Sequence, residues 1–164
     1  MIDGYIEKAV RTLAPGQGTM LHVVLGLNGE WHELNLPDAD HLKESGDFFW
    51  YLALGFHILS REDLFYEILN QEDATHLNDL IAGLDECTDL VKRVMIYGQE
   101  IEIEQFIEPL LKIMRGFLIW LDEYSALCLD DIPTILDANI AKLQKRYPHK
   151  FTIKDSIRKA DSDE

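Results

Sequence analysis

Four carboxylates in the first third of the chain carry the strongest chemical signal. Glu30 and Glu33 stand three residues apart, Pro37 interrupts, and Glu44 and Asp47 again stand three apart. Residues three apart on an α-helix share a face. If the segments on either side of Pro37 are helices, each presents one pair of acids, and an antiparallel arrangement closes the two pairs into one nest. Hard divalent cations take carboxylate oxygens, and Mg²⁺ uses a few of them while leaving other octahedral positions to water or phosphate. The pattern is therefore that of a nucleotide-phosphate site. It equally describes a solvated acidic face in a chain with 30 acidic and 15 basic residues. Gly26 and Gly29 fall on the same helical face as Glu30 and Glu33. Their missing side chains would leave room for a ligand, at about 1 kcal/mol each in helix propensity.

The elements that must position these acids read as helices throughout. Residues 4–13 form a short amphipathic helix that stops before Ala14-Pro15-Gly16, and Thr19 is placed to cap a helix over 20–35. Pro37-Asp38 breaks it. The next helix spans about 39–59, with Phe48, Phe49, Leu52, Phe56 and Leu59 on its apolar side and Glu44, Asp47 and Tyr51 on another. A short helix or turn over 61–70 follows. A long amphipathic helix then runs from 74 to 97 and ends at Gly98. Residues 102–124 form another, in which Pro109 predicts either a kink or a later start. A last helix opens near Pro133, a favourable first-turn proline, and ends near Tyr147-Pro148. No stretch alternates with period two. The expected fold is all-α, a bundle of about five main helices around a four-helix core, in one domain over 1–164 with a tail, 152–164, that is basic and then acidic and expected to be partly disordered.

Composition narrows the function. A net charge of −15 repels polyanions at long range, which argues against nucleic-acid binding. A small anionic substrate remains compatible, because residues 142–159 hold seven basic residues against the single acid Asp155. Cys87 and Cys128 form no C-x-x-C pair and read as reduced, largely buried thiols. There is no signal-peptide pattern and no run long enough to span a bilayer, so no membrane association and a cytoplasmic location are expected.

Taken together, Leu21-His22, Gly26, Gly29-Glu30-x-x-Glu33, Lys43-Glu44-x-Gly46-Asp47 and Trp50-Tyr51-Leu52 resemble the signature of MazG-like nucleotide pyrophosphohydrolases, of the all-α NTP pyrophosphatase superfamily. Downstream, Asp89-Leu90-Val91-Lys92-Arg93 with Tyr97-Gly98, and Asn139-Ile140-Ala141-Lys142-Leu143 with Arg146-Tyr147-Pro148 and Phe151, resemble further blocks of phage-type members. The resemblance covers about residues 20–152. It departs at Lys43 and Ser45, where the family usually reads Glu and Leu, and at Trp31-His32, where smaller residues are common.

This resemblance implies hydrolysis of a nucleoside triphosphate or related nucleotide to a monophosphate and pyrophosphate. Mg²⁺, with Mn²⁺ as a substitute, would be held by Glu30, Glu33, Glu44 and Asp47 and would activate a water against the α-phosphorus. One of the four, Glu33 or Glu30, could instead orient that water as a base. Lys92, Lys142 and Arg146 are implied phosphate clamps, and Asn139 and Tyr147 help to shape the pocket. His22 either orients a carboxylate or is structural.

Two other classes bound this reading. A ferritin-like di-iron bundle would use Glu-x-x-His pairs, and no Glu here has His three residues on. A catalytically idle helical binding or assembly protein would need none of the four acids. The resemblance and the apolar helices together imply a homodimer or higher homo-oligomer packed through helices. A loose echo of Gly26-Leu27-Asn28-Gly29-Glu30 at Gly83-Leu84-Asp85-Glu86 suggests two related helical hairpins.

Overall fold

In a computed structural model, residues 4–70, 78–149 and 151 are described. Local signals place the helix ends. The Thr19 hydroxyl accepts the His22 N–H at 3.3 Å and starts α2 (Met20–Leu34), which a short α1 (Tyr5–Val10) precedes. The Asp40 carboxylate accepts the Lys43 N–H at 3.1 Å and starts α3 (His41–Ile58), slightly later than the sequence suggests. Both caps satisfy first-turn donors that have no helical partner. The chain continues as α4 (Glu62–Leu69), α5 (Asn78–Met95), α6 (Ile107–Glu123) and α7 (Ile132–Arg146). Gly98, at φ 61°, ends the turn after α5 in the left-handed conformation that favours glycine. There is no strand among the described residues.

Pro109 does not kink α6. A 3₁₀ turn over Ile103–Phe106 delays the helix to Ile107, which leaves the proline in the first turn, where its absent N–H costs nothing. Four long helices, α2, α3, α6 and α5, pack in a ring, with α1 and α7 against α3 and α4 beside α3 and α6. At its centre Phe48, Phe49, Phe56, Phe65 and Phe117 are fully buried, each removal from water contributing about 1.5–3 kcal/mol. The Phe48 and Phe117 rings lie 4.2 Å apart.

Two glycines let α5 and α6 meet backbone to backbone. A Cβ on Gly116 would sit 2.5 Å from the Leu80 nitrogen, and one on Gly83 would sit 2.6 Å from the Pro109 carbonyl oxygen. Cys87 is buried as expected, and burial pushes its thiol up to about 12. Cys128 is exposed, contrary to expectation, because it precedes the 3₁₀ turn Leu129–Asp131 at a surface corner and caps it with Asp131. No helix among the described residues is long and apolar enough to cross a membrane. The expected start of α5 at 74–77 and the tail 152–164 lie outside the described residues.

Candidate functional site

The hairpin of α2 and α3 brings three of the four acids together. One oxygen from each of Glu30, Glu44 and Asp47 lies within 4.8 Å of the others. Glu30 is on α2, two turns beyond His22 on the same face. Glu44 and Asp47 occupy one face of α3, three residues apart, as the spacing predicts. Glu44 is buried. Glu33 is exposed on α2 and lies with Lys43 and Glu44 along a second depression of about 520 Å³ where the chain passes from α2 to α3. Glu33 is close enough to raise the proton affinity of both Glu30 and Glu44.

Crowded, partly dehydrated carboxylates hold their protons. Burial, and then the charges of Asp47, Glu33 and Glu44, push Glu30 up to about 8, against a partial opposing pull from Lys142. Burial likewise raises Glu44, although Lys43, 3.3 Å away, works against it. Glu30 Oε2 is buried with no hydrogen-bond partner among the described residues. An unsatisfied buried carboxylate oxygen is costly, and a bound cation or proton would relieve it. The set of oxygens suits a hard divalent ion.

A helix from the far end of the sequence supplies the counter-charges. On α7, Lys142 Nζ donates to both oxygens of Asp47, and Asn139 Nδ2 donates to Asp47 Oδ1 at 3.1 Å. The Tyr5 hydroxyl on α1 donates in turn to Asn139 Oδ1 at 3.0 Å. This fixes which end of the amide faces the carboxylate. Gly46 makes the approach possible, since a Cβ there would lie 3.0 Å from that of Asn139. Burial and the Asp47 charge hold the Tyr5 hydroxyl well above the usual tyrosine range.

Beside the acids lies a cavity of about 230 Å³. Glu30, Asp47 and Lys142 line it together with Arg146, Tyr147 and the ring of Tyr51. Arg146 lines the cavity, and its Nε is buried with no hydrogen-bond partner among the described residues. Its guanidinium carbon lies 5.9 Å from the Tyr147 ring. Acids and cations thus line one cavity, which is what binding a metal and a phosphate side by side requires.

The structure separates the remaining expectations. Lys92 is not at this cavity: it is exposed near the C-terminus of α5, 5.5 Å from the centre of the Tyr97 ring, where a cation complements the helix dipole. Gly29 faces open space, as the vacant helical face suggests. Gly26 does not, because the Tyr51 ring fills its place and would lie 2.1 Å from an added Cβ. Burial and the neighbouring acids push that tyrosine up to about 12. His22 lines the cavity, but its Nδ1 is paired with the Gln17 carbonyl at 2.9 Å and its ring stands edge-on to Trp50 and Tyr51, so the ring serves packing. Trp50 is structural as well, donating from Nε1 to the Ala9 carbonyl at 3.1 Å.

Tyr5 is the participant that sequence reading passes over. It sits in an apolar stripe, where a tyrosine reads as core, and its only sequence signal is a hydroxyl that burial obliges to find a partner. No protein-family model, no curated protein and no solved structure matches the chain, so a functional reading rests on the residues and geometry just described.

Proposed function

We propose that the protein is a Mg²⁺-dependent nucleotide pyrophosphohydrolase of the MazG-like kind, converting a nucleoside triphosphate or related nucleotide to the monophosphate and pyrophosphate. The observation that carries this reading is that one cavity is lined both by Glu30 and Asp47 of the acid cluster and by Lys142 and Arg146. Folding alone requires neither half. Glu30, Glu44 and Asp47 would hold the cation, with Glu33 at the outer edge. The bound ion, Mg²⁺ or Mn²⁺, supplies charge neutralisation for the phosphates and polarises the attacking water.

The chain's own residues do the rest. Lys142 and Arg146 draw the phosphate oxygens onto the cavity wall, Arg146 through its planar fork and Lys142 as a point charge. Asn139 keeps Asp47 aimed at the cluster. Glu30 is the acid whose proton the environment holds most firmly, and a cation would replace that proton. Tyr147, buried at the end of α7, closes the pocket.

A nucleotide substrate and free thiols fit a cytoplasmic location. Exposed Leu25, Ile81, Met95, Ile96 and Tyr97 offer apolar surface for a homodimer, and sedimentation at micromolar concentration should show one; a monomer would remove that part of the proposal.

The test of the activity is pyrophosphate release from a panel of canonical and modified ribo- and deoxyribonucleoside triphosphates with Mg²⁺ or Mn²⁺. Metal-dependent release by the wild type, lost in folded Glu33→Gln and Asp47→Asn, is the expected result. No metal-dependent release from any member of the panel would overturn the reading and favour an idle helical scaffold.

A further inference from the structure

Asp47 has two claims on the same oxygens. Lys142 Nζ donates to both of them, and Asn139 Nδ2 donates to Oδ1. Yet one Asp47 oxygen also lies within 4.8 Å of the Glu30 and Glu44 oxygens, where a cation would sit. A divalent ion on that carboxylate and an ammonium bridging the same two oxygens repel each other strongly at such separations. Asn139 is neutral and one of its two amide N–H groups occupies one lone pair, so it can stay. Lys142 must give way.

The lysine has somewhere to go. It lines the cavity that Arg146 lines one helical turn further along α7, about 6 Å along the axis. Its flexible four-carbon stem can redirect three donors without moving the backbone.

We propose that Lys142 is a handover group: it neutralises Asp47 until a divalent cation takes that carboxylate, and the displaced ammonium then turns to the oxygens of the incoming phosphate chain. This rests on the reading of the site as a metal and phosphate site, and it adds a coupling that the reading does not contain. Metal entry releases a cation into the phosphate position, so metal and phosphate reinforce one another beyond their direct contact. Such a coupling is reciprocal by linkage. The lysine thereby competes with the metal and cooperates with the phosphate, two effects of opposite sign from one side chain.

The opposite signs make the test. Mg²⁺ alone, and then pyrophosphate in saturating Mg²⁺, are titrated calorimetrically into wild type, Lys142→Met and Lys142→Gln. The titrations are run at pH 9, so that proton binding by Glu30 does not mask metal binding, and the folding of each variant is checked by thermal melting. Both variants should bind Mg²⁺ about fivefold tighter than wild type, the order expected for loss of one partly exposed competing ion pair. Both should bind magnesium pyrophosphate at least tenfold more weakly. Unchanged or weaker Mg²⁺ binding in the variants would overturn the handover and leave Lys142 a phosphate ligand only. Tighter Mg²⁺ binding with unchanged pyrophosphate binding would also overturn it, leaving a plain counter-ion. Failure of the wild type to bind Mg²⁺ at all would instead bring down the metal reading, a result distinct from either.

Discussion

The hairpins α2–α3 and α5–α6 begin alike and end differently. Each carries a glycine early in its first helix, at Gly26 and Gly83, followed within four residues by acids. In α5–α6 the glycine lets backbone meet backbone, with Gly116 as its counterpart on the partner helix. The acids that follow, Asp85, Glu86 and Asp89, are left around an open surface depression, and Lys112 on α6 pairs Glu86 at 2.7 Å. In α2–α3 a tyrosine ring fills the space at Gly26, and the acids converge with Lys43 beside Glu44 and with Lys142, from distant α7, on Asp47. Similar local sequence thus yields a close-packed joint in one place and a strained, electrically unbalanced cluster in the other. What separates them is the occupant of the glycine's space and where the nearest lysine comes from.

The largest expected difference between the hairpins is catalytic. Asp47→Asn should lower pyrophosphate release by about a thousandfold or more, the scale of losing several kcal/mol of charge stabilisation. Glu86→Gln, altering the acid at the corresponding place, should leave turnover within about twofold. Equal losses would erase the distinction.

Packing gives the next effect, in the opposite hairpin. Gly116→Ala forces backbone atoms of α5 and α6 apart and should destabilise the fold by about 3 kcal/mol in urea unfolding. Gly26→Ala meets only a side chain that can swing aside, and the better helix propensity of alanine offsets part of the clash. Its cost should be about 1 kcal/mol or less, with Mg²⁺ binding weakened as Tyr51 moves into the cavity.

Charge gives a third contrast. Glu30 is raised to about 8 in the fold and would sit near 4.3 in the unfolded chain. Between those values the folded state holds a proton that the unfolded state has released, so metal-free stability should fall as pH rises from about 4.5 to about 8 and then level off. Glu30→Gln should remove that slope, raise the metal-free melting temperature at pH 8, and reduce the stabilisation that millimolar Mg²⁺ confers. A melting temperature that is flat across this range in the wild type would contradict the crowding of these acids. The smallest effect belongs to the partly exposed pair across α5–α6: Lys112→Ala should leave the urea unfolding midpoint unchanged within the scatter of the measurement.

The sequence is most informative where the physics is local. Thr19 announces α2 because its hydroxyl reaches only three residues on, and the three-residue spacing of Glu44 and Asp47 places both on one face wherever α3 packs. It is silent where the outcome depends on a distant partner. Nothing near Gly26 reveals that Tyr51 will occupy its place, and nothing in the apolar stripe of α1 reveals that the Tyr5 hydroxyl meets Asn139, 134 residues away. Lys92 shows the same dependence on distant packing. A basic residue within a family-like block need not reach the cavity when the end of its helix leads away from it. Glu33 shares a helical face with Glu30 yet ends exposed, because one more turn carries it past the edge where α3 begins.

The connection from Tyr5 through Asn139 to Asp47 also bears on how the protein is made. During synthesis the α2–α3 hairpin, with its acids, leaves the ribosome some ninety residues before Asn139 and Lys142. For that interval the cluster has no partner from α7, only Lys43 beside Glu44, and proton uptake by the crowded carboxylates offsets part of their charge. The hairpin that holds the candidate site is therefore expected to be among the last parts of the molecule to become rigid, its acids settling only when Asn139 and Lys142 arrive.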